Sequence, residues 1–365
     1  MKIRLVTMGR FHTYHQQILL HGPKEVTYEA NINSGFYANP LYPYFIQIYR
    51  SKLYSKILSK NFNKIQIIID RIHNFYEKRQ TKKGDHDLIH VCAVSITPDE
   101  PFILDFDNIT LLTEFDENKF RSQLSTIQNR LDSCKRLVAW SDTNANHARN
   151  LIEDSSLRKK ITTLHPARLA QNPSQIPHEG LNAVFGGSLN NPLMWEYKGG
   201  DLVLEAWKRV VNDFPHAIFH VCAKPPKKNN YSSVPNVRWY GILPQDKYFN
   251  LLRRADVFVR PEKHTPAMGY VEAMDFGLPI IGLQVADNVA YVVHKKTGWL
   301  APPPVKDRDK TIESLAQGIA YFLESEDRRD VARDVQRKLV EPGGRFSMEQ
   351  HNKKLLEIYE NALVT

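Results

Sequence analysis

The stretch RPEKHTPAMGYVEAMDFGLPIIG, Arg260 to Gly282, decides how this chain is read. The small-residue run TPAMG leads into the helical YVEAMDF, which is closed by Gly277-Leu278-Pro279 and followed by a short apolar strand. A helix opened in this way presents unpaired backbone N–H groups near Ala267 to Tyr270, and these, with the positive end of its dipole, suit a phosphate or diphosphate. Glu272 lies one turn in, where a carboxylate can accept two hydrogen bonds from a vicinal diol such as a ribose. Phosphate at the helix tip and ribose on the carboxylate together describe a bound nucleotide. Taken alone, Glu272 reads equally well as a surface glutamate favoured by the helix dipole.

Working outward, VFGGSLNNPLMWEYKGGDLVLEAW (184–207) is a strand, a Gly186-Gly187 turn, a polar loop, and Lys198-Gly199-Gly200 opening an amphipathic helix. The glycines allow close backbone approach and Lys198 offers a cation to a diphosphate; the alternative for such a lysine is a solvated charge. No G-x-x-x-x-G-K-[ST] run is present, which excludes P-loop nucleotide binding.

Strands and helices alternate on both sides. The first half has strands KIRLVTM, IQIIID, DLIHVCAVSI, FILDF and RLVAWS, with helices ENKFRSQLSTIQNRLDSC and NANHARNLI. The second has NAVFGGSL, AIFHVCA, VRWYG, DVFVRP and PIIGL, alternating with helices GGDLVLEAWKRVVNDF, QDKYFNLLRRA and the one carrying Glu272. Strands separated by helices imply βαβ units and parallel sheets. The Pro-, Gln- and Asn-rich HPARLAQNPSQIPHEG (165–180) reads as a linker. The expected fold is therefore α/β, two doubly wound Rossmann-like domains (1–168 and 180–340) facing a cleft. The final helix (345–365), capped by Ser347 with Gln350, returns to the first domain.

At 365 residues, 42% hydrophobic and 24% charged, the chain has the size and composition of two globular domains. No apolar run approaches a membrane span and MKIRLVTMGR lacks a signal peptide's apolar region, so a cytoplasmic protein is expected. Cys92, Cys134 and Cys222 are far apart and read as reduced thiols, with neither disulfide framework nor metal site indicated.

The net charge of +9 concentrates between Arg50 and Lys83, where ten basic residues meet only Asp70 and Glu77. Phe45, Ile46, Tyr49, Leu53 and Ile57 form one helical stripe there, with Arg50, Lys52, Lys56 and Lys60 elsewhere on the helix. The segment 42–83 either packs its stripe on a sheet or lies peripherally on an anionic membrane. No nucleic-acid signature accompanies the charge, and no nucleic-acid partner is expected.

The order VFGGSL, KGGDLVLEAW, VRWYGIL, YFNLLRRADVFVRP, GYVEAMDFGLPIIG, TGWLAPP resembles the C-terminal half of the group 1 glycosyltransferases, retaining sugar-nucleotide enzymes of the two-domain GT-B fold. The resemblance covers about residues 183–304; the first half matches in outline only. It implies transfer of a hexosyl-type sugar from a nucleoside diphosphate sugar, UDP- or GDP-linked, to an acceptor hydroxyl of a glycan, lipid-linked or small molecule, as in glycan biosynthesis. It further implies retention at the anomeric carbon, with neither cofactor nor metal. Lys198 then binds the diphosphate and Glu272 the ribose. Met268, Gly269, Tyr270 and Val271 hold phosphate and sugar through backbone, with Gly187 and Ser188 beside them, and Tyr240, Gly241 and Leu243 meet the base.

The chain departs from the family pattern in places. The usual glutamate eight residues before Glu272 is His264, and Glu262, two residues further out, is a donor-binding candidate. The usual arginine after the strand glycine is Ser188, and the usual glutamate before the T-G element is Ala290. Lys198 thus carries more of the diphosphate, and His264 is a candidate sugar contact or else a loop residue packing on Pro266. In the first half, Gly9, Arg10, His12 and His15 follow the first strand, and His90, Asp105 and Asp107 lie in or after later strands. They are candidates for the acceptor side, each equally readable as structural. Two alternatives stand beside the transferase: a degenerate domain that binds a nucleotide or an anionic surface without turnover, and a sugar-nucleotide epimerase on the same fold.

Overall fold

The computed structural model describes residues 1–7, 12–30, 84–113, 115–189, 192–223, 231–264 and 267–364. Gly9, Arg10, the strand IQIIID and the basic segment 42–83 lie outside these residues. The chain divides into two compact units, one of Met1–His165 with His351–Thr365 and the other of Pro166–Gln350.

The first unit is built on a six-stranded sheet, order β2-β1-β3-β4-β5-β6, from β1 (Lys2–Val6), β2 (Thr27–Ala30), β3 (Leu88–Cys92), β4 (Phe102–Phe106), β5 (Cys134–Ala139) and β6 (Ile161–Thr163). Every adjacent pair is parallel. Helices α1 (Thr13–His21), α2 (Glu117–Ser122), α3 (Leu124–Arg130), α4 (Asp142–Leu151) and α5 (Ser155–Lys159) connect the strands. Every residue of β3 and β4 is buried, as expected of strands covered on both faces, and this explains why they are apolar apart from His90 and Asp105, which pair with each other. TYEA (27–30) and ITT (161–163) pair at the two sheet edges and are too short and too polar to announce themselves as strands. The single helix expected over 117–134 is two. Ser122 Oγ donates to the Lys119 carbonyl, and Gln123, at φ −113° and ψ 19°, closes the first segment.

The second unit has a six-stranded parallel sheet, order β12-β11-β10-β7-β8-β9. Its strands are β7 (Asn182–Leu189), β8 (Ile218–Ala223), β9 (Val237–Trp239), β10 (Val257–Val259), β11 (Ile280–Leu283) and β12 (Gly298–Ala301). Around it run α6 (Pro192–Tyr197), α7 (Gly200–Asp213), α8 (Gln245–Leu252), α9 (Ala267–Asp275), α10 (Asn288–Tyr291), α11 (Arg308–Leu323) and α12 (Glu326–Val340). The short α6 occupies what reads in the sequence as a polar loop. One core holds Phe185, Trp195 and Leu204 with Trp207, whose indole stacks on Phe219 at 5.1 Å between ring centroids. A second core, on the other sheet face, holds Phe258, Tyr270, Val271, Met274 and Ile280. Ser and Asp mark helix starts: Asp307, Ser325 and Ser347 accept from the backbone N–H groups of Lys310, Arg328 and Gln350.

The last helix, α13 (Met348–Val364), belongs from His351 onward to the first unit. There His351 meets the Tyr14 hydroxyl at 2.9 Å and Tyr359 meets His90 Nδ1 at 2.8 Å. Among the described residues no helix is long and apolar enough to cross a membrane.

Candidate functional site

The second sheet reverses its strand order between β7 and β10. From β7 the chain proceeds outward through β8 and β9, then returns to β10 on the other flank and continues to β11 and β12. Ligands of open α/β sheets bind at the C-terminal strand ends beside such a reversal. Gly186, Gly187 and Ser188 lie toward the end of β7, where the β7–β8 register shifts, and Arg260 follows β10 directly.

Lys198 is brought to this edge by the turn between α6 and α7. Gly199 takes φ +74°, and a Cβ on it would stand 2.3 Å from the Pro261 carbonyl oxygen, so only glycine lets this turn rest on the 260–264 loop. The Lys263 N–H reaches the Tyr197 carbonyl at 3.3 Å across the same contact. Lys198 is only 7% exposed, and its ammonium makes neither hydrogen bond nor ion pair to a described residue. Burial, then the nearby Arg260 cation, lowers its pKa to about 8, with Glu262 opposing.

Glu262 is 1% exposed. Its Oε2 accepts from Arg260 Nε at 2.6 Å and its Oε1 lies 3.4 Å from His264 Nδ1. Burial opposes its charge, yet Arg260, His264 and Lys198 together hold the carboxyl below its ordinary range. Glu262, a donor-binding candidate in the sequence, thus has both oxygens beside Arg260 and His264. His264, its side chain 37% exposed, also lies against the Tyr197 ring at 4.9 Å between centroids.

Glu272 stands one turn into α9, half-buried; its backbone carbonyl accepts the Phe276 N–H at 3.2 Å, while its carboxylate makes no hydrogen bond or ion pair to a described residue. Desolvation raises its pKa, with Arg168 and Arg260 opposing and Asp275 adding to the rise. Arg168 comes from the segment read as a linker. It is buried, 3.3 Å from Asp275 Oδ2, with its guanidinium 4.9 Å over the Phe249 ring. Asp275 also accepts the N–H groups of Gln171 and Asn172, at 2.8 and 3.0 Å, which ties that segment to the end of α9. The side chains of Tyr270 and Val271 lie in the core and Met268 is buried, so a ligand can meet only their backbone.

Glycine at 269 also accommodates a neighbouring side chain. A Cβ there would stand 2.6 Å from Arg260 Nη1, so the missing side chain makes room for a guanidinium under the first turn of α9. After β9, Tyr240 donates its backbone N–H to the Val221 carbonyl and its hydroxyl pairs with His220 Nδ1 at 2.8 Å. Gly241 takes φ +68°, turning the chain toward the half-buried Leu243. Burial, with Arg238 and His178, lowers the His220 pKa to about 4.

In the first unit, His90 is fully buried, its ring nitrogens taken by Asp105 at 3.2 Å and Tyr359 at 2.8 Å. His15 is buried at 2.7 Å from the same Asp105 oxygen. Burial opposes the Asp105 charge, but His15 and His90 hold it well below the usual carboxylate range. The expectation that His90 faces an acceptor is therefore corrected: its polar atoms are spent inside the unit. His12 caps α1, its ring accepting the Tyr14 N–H, and remains exposed; Asp107 is half-buried after β4. No group of three or more His, Cys, Asp or Glu able to hold a metal occurs among the described residues.

Two functional candidates escaped the sequence reading. Arg260 stood in the deciding stretch without a role, because its signal is the coincidence with Gly269 in space. Arg168 left no local signal at all.

Comparisons bear on this geometry. Residues 181–325 match the family model described as Glycosyl transferases group 1. No curated protein matches by sequence. Among solved structures, Anabaena HepE in complex with UDP and glucose aligns over 99% of this chain and 99% of its own, with TM-score 0.67 and 11% identity. Sucrose-phosphate synthase from Thermosynechococcus elongatus aligns over 100% and 99%, with TM-score 0.60 and 13% identity. The pneumococcal O-GlcNAc transferase GtfA, in complex with UDP and GlcNAc, has TM-score 0.58 and 13% identity. The alignment with GtfA covers 76% of this chain but only 57% of that protein's length. At such identities the likeness shows a shared fold, the GT-B architecture of two parallel α/β sheets.

Proposed function

We propose that this chain, whose residues 181–325 are a group 1 glycosyltransferase domain, moves a sugar from a uridine diphosphate sugar to an acceptor hydroxyl with retention at the anomeric carbon. One observation carries the reading. At the strand reversal of the second unit, Lys198 and Glu272 are withdrawn from water yet have no hydrogen-bond or ion-pair partner among the described residues, while neighbouring Arg260, Glu262 and Asp275 are paired. Partial burial without a partner costs stability, and such a cost is retained where a ligand supplies the missing partner. The bound UDP of HepE and of GtfA supports uridine as the base.

In this mechanism Glu272 accepts from the ribose diol. Lys198 and the N-terminal turn of α9 stabilise the diphosphate charge that grows as the glycosidic bond breaks. His264, oriented by Glu262 and Tyr197, hydrogen-bonds the transferred sugar. The acceptor proton passes to a donor phosphate oxygen, so that the role of the leaving-group cations needs no metal.

The test is a turnover screen over UDP- and GDP-linked sugars with a panel of sugar and lipid-linked acceptors, reading nucleoside diphosphate release and product anomeric configuration with and without EDTA. Selective release that is lost in Glu272→Ala is the expected result. Binding of UDP without release of product in any combination would leave a nucleotide-binding domain and sink the transferase reading.

A further inference from the structure

The donor-site reading assigns a single cation, Lys198, to the diphosphate. A leaving diphosphate carries more charge than one lysine neutralises, so a second cation is to be sought among the residues around α9.

Arg260 meets the requirement. Its backbone is fixed at both ends: its N–H donates to the Ile281 carbonyl at 2.8 Å, and its carbonyl accepts the Tyr270 hydroxyl at 3.3 Å. Its side chain is held by one edge only, Nε donating to Glu262 at 2.6 Å. Nη1 and Nη2 make no hydrogen bond to a described residue. Nη1 occupies the space left by Gly269 in the first turn of α9, so the guanidinium shares its position with the helix N–H groups that suit a phosphate. The side chain is 13% exposed, enough for those N–H groups, unbonded among the described residues, to be approached. Its charge is felt at both Lys198 and Glu272, the two residues assigned to diphosphate and ribose.

We infer that Arg260 is the second diphosphate-binding cation of the donor site, presented by Glu262 and admitted by Gly269. Glu262 uses up the Nε edge and orients the fork, leaving the outer nitrogens to a phosphate oxygen pair, which suits guanidinium geometry and not that of an ammonium. The inference rests on the donor-site reading above and assigns part of that site to a residue outside the family pattern.

The experiment is calorimetric titration of UDP and uridine, with GDP and guanosine in parallel, onto wild type, Arg260→Lys, the double variant Arg260→Met with Glu262→Gln, and Lys198→Met at one salt concentration. Arg260→Lys keeps a cation for buried Glu262 and so protects the fold, but its ammonium cannot both pair with Glu262 and fork a phosphate. The expected result is a loss of about tenfold or more in diphosphate affinity in both Arg260 variants, with nucleoside affinity within about twofold of wild type. Diphosphate affinity unchanged in Arg260→Lys and in the double variant, but lost in Lys198→Met, would overturn the role of Arg260 and leave the donor site standing. A wild type that takes neither diphosphate overturns the donor site itself, and Arg260's role with it.

Discussion

Arg260 and Gly269 are complementary: Nη1 of the arginine lies 2.6 Å from the point where a Cβ on the glycine would stand. A glycine in a helix ordinarily costs about 1 kcal/mol relative to alanine, and here that cost admits a charged side chain beneath the first turn. The pair links the strand end after β10 to the N-terminus of α9, the two elements that a diphosphate would join.

Gly269→Ala should therefore fail to give the usual helix gain. The added methyl must displace the guanidinium, and overpacking of this kind costs about 1–3 kcal/mol, leaving a net loss of about 1 kcal/mol or slightly more. Urea unfolding would measure it; a variant more stable than wild type would show that the arginine swings aside freely.

Lys198→Met should raise stability at neutral pH while abolishing turnover. Holding the lysine charged in the fold, with its pKa lowered to about 8 from 10.5, is unfavourable below pH 8. Methionine keeps the packing without the charge, and a gain of about 1–3 kcal/mol is expected. A drop in melting temperature would mark Lys198 as structural.

Diphosphate binding should take up a proton near and above pH 8. In the free protein Lys198 loses its proton as pH rises through about 8. A bound diphosphate favours the ammonium and raises that value, so affinity weakens with rising pH. Titration of UDP in two buffers of different ionisation enthalpy at pH 8.5 would detect the uptake; buffer-independent heats would contradict it.

Acid should destabilise both units. Burial lowers His220 and His351 to about 4 from 6.5, so the unfolded chain binds more protons than the folded one between those values. Stability from these two residues is complete above pH 6.5 and lost as pH falls to 4, on the order of 3 kcal/mol each. Denaturant midpoints at pH 7 and 4.5 should differ, and His220→Gln should narrow the difference. An unchanged gap would show that His220 charges in place.

The fold was largely legible because buried parallel strands write long apolar runs, as in FILDF and LIHVC, and because Ser and Asp announce helix starts. The misses include the edge strands at 27–30, 161–163 and 298–301, the helix Thr13–His21 and the short α6. In the candidate site, Lys198, His264 and Glu272 could be singled out from residue type and position in the chain. Glu262 could be singled out too, but its partner could not, since Arg260 and His264 lie within two residues along the chain and their hydrogen bonding depends on side-chain direction.

By itself the sequence determined two parallel α/β units and a Lys-Gly-Gly and Glu-Ala-Met pair suited to a nucleotide, because periodicity and residue chemistry are local properties. Only the tertiary structure decided which charges are paired among the described residues and which are not. That decision rests on distances between residues far apart in the chain, such as Arg168 with Asp275 and Gly199 with Pro261, and on how far burial withdraws each group from water.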